Sequence, residues 1–129
     1  MRSVKNQAWL HTVLAALLSA RASAHHSLTT YDKSQRATLE GTIKDFQWSN
    51  PHIWIHFIAR DVGASRDEEW SIEGPSPNIL LGSGWTKASL RPGDAVVMEM
   101  HPSKKAGVKS GLLIRVTVNG QEVWKNPFE

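Results

Sequence analysis

Apolar and polar residues alternate in short segments along most of the chain, which is the pattern of β-strands with one buried face. The clearest segment covers residues 52–58, where Ile53, Ile55 and Phe57 alternate with histidine and tryptophan. Similar alternation marks four further segments, at residues 37–48, 69–73, 96–100 and 112–118. The pattern therefore predicts an all-β domain built from short strands.

Turn signals between these segments refine the prediction. The parity of the apolar positions changes near Lys44-Asp45, which indicates a β-bulge. Ser76-Pro77 predicts the start of a short helical turn after the third strand, and Asn119-Gly120 predicts a hairpin turn into a last strand. A coiled first strand and a helical connection after the third are typical of OB barrels. We therefore predict a small five- to six-stranded OB-like β-barrel with a short helical insertion, with a small β-sandwich as the alternative.

Residues 1–24 predict a cleavable secretory signal. Arg2 and Lys5 supply a positive start, an apolar run follows, and Ala22-Ser23-Ala24 places small residues where a signal peptidase cleaves. The apolar run is shorter than the roughly 20 residues that span a bilayer, so we expect no membrane span after processing. An uncleaved anchor or a buried helix is the alternative, and Arg21 leaves a shifted cleavage site open. The remaining chain divides into an N-terminal arm, 25–36, and a barrel domain, 37–129.

Removal of the signal changes the charge of the chain. Three basic residues and no acidic residue leave with it, so 12 basic and 12 acidic residues remain. Because this balance gives no overall attraction to phosphates, the sequence argues against nucleic acid as a partner. The chain contains no cysteine, which excludes thiolate metal sites and disulfides. A metal ion would need histidine, carboxylate, methionine or the amino terminus.

Cleavage after Ala24 would make His25 the N-terminal residue. Its α-amine and imidazole can chelate one metal ion, and an imidazole from elsewhere would complete a T-shaped set of nitrogens. This ligation suits Cu(II), which favours tetragonal nitrogen coordination. His26 offers a competing chelate, and His52, beside the Asn50-Pro51 turn, is the better partner from the barrel. The sequence thus predicts a copper site at His25, His26 and His52, against the plainer interpretation that these histidines are only solvated.

The second predicted strand also carries candidates for a ligand-binding groove, Trp54 and His56. Both share the strand face of His52, but about 13 Å of strand separates His52 from His56, too far for one ion. Core packing of Trp54 and a plain surface position for His56 are the alternatives, and His101 is predicted to be a strand-end residue. The sequence holds no nucleophile elbow, phosphate-binding loop or His-Glu-x-x-His motif. It therefore favours a binding protein over an enzyme.

Several segments of the chain form a specific combination in a fixed order. They are Ala24-His25-His26-Ser27, Trp48-Ser49-Asn50-Pro51-His52-Ile53-Trp54, Ser76-Pro77-Asn78-Ile79-Leu80-Leu81, Gly84-Trp85 and Leu90-Arg91-Pro92-Gly93-Asp94. This combination resembles DUF6152, a family of small exported bacterial proteins of unknown function. The resemblance implies a periplasmic location and pairs the His-His start with an Asn-Pro-His-x-Trp segment. Leu28 departs from the family, where an aromatic residue is expected.

These observations lead to three functional hypotheses. The first is a periplasmic metal-binding protein, with copper the favoured ion, which acts in binding, delivery or sensing and works with a periplasmic partner protein. The alternative is a metal-free OB-like module that binds a small ligand or a partner protein on the face of Trp54 and His56. An oxidase-type enzyme with copper at the N-terminal histidine is the least favoured of the three.

Overall fold

The computed structural model describes residues 30–60 and 66–129. The described residues from Tyr31 to Glu129 belong to one compact unit, which contains the barrel. Its strands are β1 (Ala37–Gln47), β2 (Trp54–Ala59), β3 (Glu68–Glu73), β4 (Ala95–Pro102), β5 (Ser110–Val118) and β6 (Gln121–Lys125). One short helix, α1 (Pro77–Gly82), connects β3 to β4.

The strands follow the order β3-β2-β1-β4-β5-β6, and a parallel pairing of β3 with β5 closes the first five into a barrel. All other neighbouring strands are antiparallel. A closed five-stranded barrel with a helix between β3 and β4 is the OB architecture. The predicted fold class is therefore confirmed, with β6 added as a hairpin partner of β5.

Strand β1 belongs to both halves of the barrel because it is long and coiled. Its first half pairs with β4 and its second half with β2, and the register shifts between Ile43 and Asp45 at the predicted bulge. Gly41 lies where the two pairings overlap, and a Cβ atom there would clash with the Ile58 carbonyl oxygen. The bend of β1 therefore requires glycine at this position.

The barrel core contains the inward-facing residues of every long strand. Ile53, Ile55 and Phe57 are fully buried, as their alternation predicts, and so are Met98 and Met100 of β4. Because the two methionine sulfurs lie inside this apolar core, they pack against the barrel and are not presented to solvent.

The connections follow local sequence signals. Helix α1 begins with Pro77 after Ser76, although the Ser76 side chain makes no capping hydrogen bond. Asn119 and Gly120 both adopt positive φ angles, 49° and 84°, as a two-residue hairpin turn of the predicted type requires. Within the described ranges, no helix has the length and apolar character needed to cross a membrane. The predicted signal lies outside the described residues.

Candidate functional site

The loop between β1 and β2 positions His52. The Asn50–Pro51 peptide bond in this loop is cis, and the Ser49 hydroxyl donates to the His52 carbonyl oxygen at 2.9 Å. The Nδ1 atom of the His52 ring lies 3.1 Å from the Gly74 carbonyl oxygen. Because a carbonyl only accepts hydrogen bonds, Nδ1 carries the proton, and the neutral ring keeps a lone pair on Nε2.

That second nitrogen faces a buried carboxylate. His52 Nε2 lies 3.6 Å from Glu73 Oε1, and the side chains are 40% and 7% exposed respectively. A separation of 3.6 Å is too long for a hydrogen bond. Two atoms that both carry lone pairs therefore face each other across a gap, and a positive charge between them, a proton or a metal ion, would stabilise the pair.

Tyr31 holds the other oxygen of the same carboxylate. Its hydroxyl donates to Glu73 Oε2 at 2.8 Å, its side chain is 2% exposed, and it forms a β-bridge with Ser103. Burial raises the pKa of Tyr31 to about 12; a hydrogen bond with Ser110 opposes the rise and Glu73 adds to it. The phenol consequently stays protonated at neutral pH and remains a donor to Glu73.

The structure brings only part of the predicted metal site together. His25 and His26 lie outside the described residues, so their predicted role stays a prediction. In residues 30–60 and 66–129, no three histidine, cysteine, aspartate or glutamate side chains form a group that could hold a metal ion. His52 and Glu73 thus supply two candidate ligands, and a stable site needs further ligands from elsewhere.

The predicted groove residues lie on the outer face of β2. Trp54 and His56 are both half-buried there, and Trp54 is the register partner of Glu73 on β3. Trp54 is absent from the buried barrel core. The Nδ1 atom of His56 lies 2.8 Å from the Ser71 hydroxyl, so β3 fixes the orientation of this ring.

His101, in β4, forms a second histidine–carboxylate pair with Glu129. Its Nδ1 lies 2.8 Å from the Gln35 carbonyl oxygen and its Nε2 lies 3.0 Å from Glu129 Oε1. Arg36 donates to the other oxygen of Glu129 at 3.0 Å. The His101 side chain is 3% exposed. Both nitrogen atoms of this ring have a polar partner. The ring therefore connects β4 to Gln35, which precedes β1, and to Glu129, which follows β6, as a structural contact does.

Sequence reasoning missed Glu73 and Tyr31 as members of the site. The alternation of β3 places Glu69, Ser71 and Glu73 on the outer face, which usually means exposure to solvent. Glu73 is nevertheless buried because Tyr31, 42 residues earlier, lies against it. The Gly74-Pro75 break directly after Glu73 was the only local signal that this strand end is unusual.

The fold is similar to solved structures of known proteins. Two crystal forms of Rim1, described as a mitochondrial single-stranded DNA binding protein from S. cerevisiae, match with 11% and 12% identity and a TM-score of 0.49 each. Each match covers 67% of this chain, and they cover 95% and 94% of the respective yeast chains. At this identity the likeness concerns the fold alone.

The inference that nucleic acid is not a partner is wrong as it was drawn from net charge. Proteins bind single strands through local positive grooves and stacking aromatic side chains, and neither depends on the net charge of the chain. The two yeast structures are described as single-stranded DNA binding proteins. Charge balance therefore does not restrict the partners of this barrel.

Comparison with curated proteins finds no match to this chain. A family model described as a family of unknown function, DUF6152, matches residues 12–127. The match includes the segments that carry the resemblance and extends through the barrel into the last strand and beyond. The chain therefore belongs to the DUF6152 family.

Proposed function

We propose that this chain is a periplasmic metal-binding protein that holds a divalent ion, with Cu(II) favoured, at His52 together with His25 or His26. The observation that carries the proposal is the open contact between His52 Nε2 and the buried Glu73 carboxylate at 3.6 Å. Metal–nitrogen and metal–oxygen bonds of about 2.0–2.2 Å would span this distance at a bond angle of about 120°. This angle is nearer the tetrahedral geometry of zinc than the roughly 90° of tetragonal Cu(II). A Cu(II) ion would therefore draw the two atoms together to about 3 Å.

Chain length supports a contribution from the N-terminal histidines. His26 precedes Tyr31 by five residues, and five extended residues reach at most about 17 Å. Tyr31 itself contacts Glu73, so His25 and His26 belong to a segment that can reach the same carboxylate. The free amine that signal cleavage would create adds a nitrogen ligand that suits tetragonal Cu(II).

The donor set favours an oxidised or borderline ion over a soft one. The chain has no cysteine, and Met98 and Met100 are fully buried in the barrel core. Thioether and thiolate ligands select Cu(I), whereas imidazole, amine and carboxylate suit Cu(II) and zinc. The proposed role is accordingly to bind, deliver or sense a divalent ion.

The test uses protein exported by its own leader and purified from the periplasm without a tag. Intact mass gives the N-terminus, and titration with Cu(II), followed by electron paramagnetic resonance, gives the affinity and the ligand atoms. We expect a start at His25, one site per chain with nitrogen hyperfine structure, and a loss of affinity of at least about 100-fold in His52→Ala and in His25→Ala.

His56→Ala is the matched control, because His56 lies on the same side of β2 and its ring is oriented by Ser71. This variant should bind Cu(II) like the unmodified protein. A different N-terminus, or weak binding that does not change in His52→Ala, would contradict the proposal.

A second candidate function is a metal-free module that binds a small ligand on the outer face of β2. Trp54 and His56 are half-exposed side by side on this face, and the β2–β3 surface is where OB barrels commonly bind. Nuclear magnetic resonance with a fragment library on metal-free protein tests it. Fragment-induced shifts of the backbone amides of His56 and Ser71 that disappear in Trp54→Ala but persist in His25→Ala would favour this candidate over the metal site.

A further inference from the structure

We propose that Glu73 is itself a metal ligand and that Tyr31 is the positioning residue that directs its free oxygen toward the ion. This inference rests on the proposed metal-binding function and extends it to two residues that the sequence pattern did not single out. It makes the site a mixed nitrogen and oxygen site instead of an all-nitrogen one.

The surroundings of Glu73 support a ligand role. A buried carboxylate is costly unless it is paired with a charge or accepts hydrogen bonds. Among the ion pairs of the described residues, neither lysine nor arginine pairs with Glu73. Its partner there is the His52 ring at 3.6 Å, which is charged only when it is protonated. A divalent ion in this gap would supply the missing charge at the place where the histidine lone pair already points.

Tyr31 determines which oxygen remains available. Its hydroxyl donates to Oε2 at 2.8 Å, which leaves Oε1 as the atom that faces His52 Nε2. The bridge to Ser103 fixes the Tyr31 backbone. Groups that hydrogen-bond a ligating carboxylate orient it and tune the metal, and their loss typically costs about 10–100-fold in metal affinity.

An anionic oxygen ligand has a consequence for metal preference. A carboxylate compensates part of the charge of a divalent ion and is a hard ligand, whereas Cu(I) prefers soft sulfur ligands. Removal of the Glu73 charge should therefore weaken Cu(II) binding more than Cu(I) binding. This difference separates a direct ligand from a residue that only supports the fold, because a loss of fold would weaken the binding of both ions equally.

The experiment compares Glu73→Gln and Tyr31→Phe with Glu69→Gln, each titrated with Cu(II) and, under reducing conditions, with Cu(I) against competing chelators. Glu69 is the matched control because it shares the outer face of β3 but forms an exposed ion pair with Lys44 at 2.7 Å. We expect Glu73→Gln to weaken Cu(II) binding by about 10–100-fold and to change the paramagnetic resonance spectrum. Tyr31→Phe should shift the same spectrum with a loss of about 10-fold, and Glu69→Gln should change neither.

The outcomes separate the two proposals. If His52→Ala abolishes Cu(II) binding while Glu73→Gln binds with the spectrum and affinity of the unmodified protein, the ligand role of Glu73 is refuted and the metal function stands. If His52→Ala has no effect on Cu(II) binding, the proposed metal-binding function is itself refuted. Thermal unfolding of the metal-free variants checks the fold, and if Glu73→Gln does not fold, Glu73→Asp keeps the charge and should still alter the Cu(II) spectrum.

Discussion

Two histidine–carboxylate pairs on this barrel share one design. In His52–Glu73 and in His101–Glu129, the Nδ1 atom of the ring lies against a backbone carbonyl oxygen, at 3.1 and 2.8 Å. In both pairs the Nε2 atom faces a glutamate oxygen from a distant part of the chain. The residue types and the orientation of the rings are therefore the same.

The two pairs differ in distance and in which member is buried. Nε2 and the carboxylate oxygen are 3.6 Å apart at His52, where the ring is 40% exposed and the carboxylate 7% exposed. At His101 they are 3.0 Å apart, the ring is 3% exposed and the carboxylate 18% exposed. The closed pair at His101 is a hydrogen bond that connects segments. In the open pair at His52 the two atoms are too far apart for a hydrogen bond, and the histidine side chain is partly exposed to solvent. Exposure and spacing, and not residue identity, separate a structural contact from a candidate site.

The largest expected effect tests the structural role of the closed pair. His101→Ala should lower the free energy of unfolding by about 2–4 kcal/mol, because it removes a buried ring and leaves hydrogen-bond acceptors without a donor. His52→Ala should cost no more than about 1 kcal/mol in the metal-free protein, because water replaces an exposed ring. Urea denaturation of both variants measures the difference. Equal losses would mean that the open pair is structural as well.

Metal binding should then act on the open pair alone. Cu(II) at 100 times its dissociation constant should raise the free energy of unfolding by at most about 2.7 kcal/mol. His52 and Glu73 come together only in the folded chain, and chelation at His25 in the unfolded chain reduces the gain. This gain should disappear in His52→Ala and persist in Glu129→Gln, which alters only the closed pair. Thermal unfolding with and without Cu(II) measures it, and a gain that survives in His52→Ala would remove the distinction between the pairs.

The smallest expected effect concerns pH. The hydrogen bond from His101 holds the pKa of the Glu129 carboxyl below its ordinary value of 4.5. A lowered folded-state pKa means that the pair stabilises the fold above pH 4.5 and that this contribution is lost as the pH falls through the folded-state value. Unfolding at pH 6 and at pH 3 should therefore show Glu129→Gln less stable than the unmodified protein by about 1 kcal/mol at pH 6. The difference should shrink at pH 3, and a constant difference would show that the charge of Glu129 does not matter.

Local features of the fold were predictable because they depend on neighbouring residues. The bulge between Ile43 and Asp45, the helix that begins at Pro77 and the Asn119-Gly120 turn all occur where the sequence indicates them. Their causes act over two to four residues: side-chain parity, a fixed proline φ angle and positive φ angles at a tight turn. The OB architecture followed from the order of these elements.

The candidate site was only half predictable. His52 stood out by its position beside a turn, but its partners Glu73 and Tyr31 come from other parts of the chain. Tyr31 contacts Glu73 across a sequence separation of 42 residues. The hydrophobic periodicity of a single strand carries no information about a contact between such distant residues. For the same reason the burial of His101, which depends on Gln35 and Glu129, did not follow from its position at a strand end.

The sequence alone determined the approximate number of strands, the faces that β2 and β4 bury and the positions of the main turns, because hydrophobic alternation and turn residues act locally. In β5 it did not, because Leu113 and not Leu112 lies in the core. The tertiary structure decided which histidine became an open pair and which a closed one. That outcome depends on spacing and burial, and both arise only when segments far apart in the chain pack against each other around one barrel.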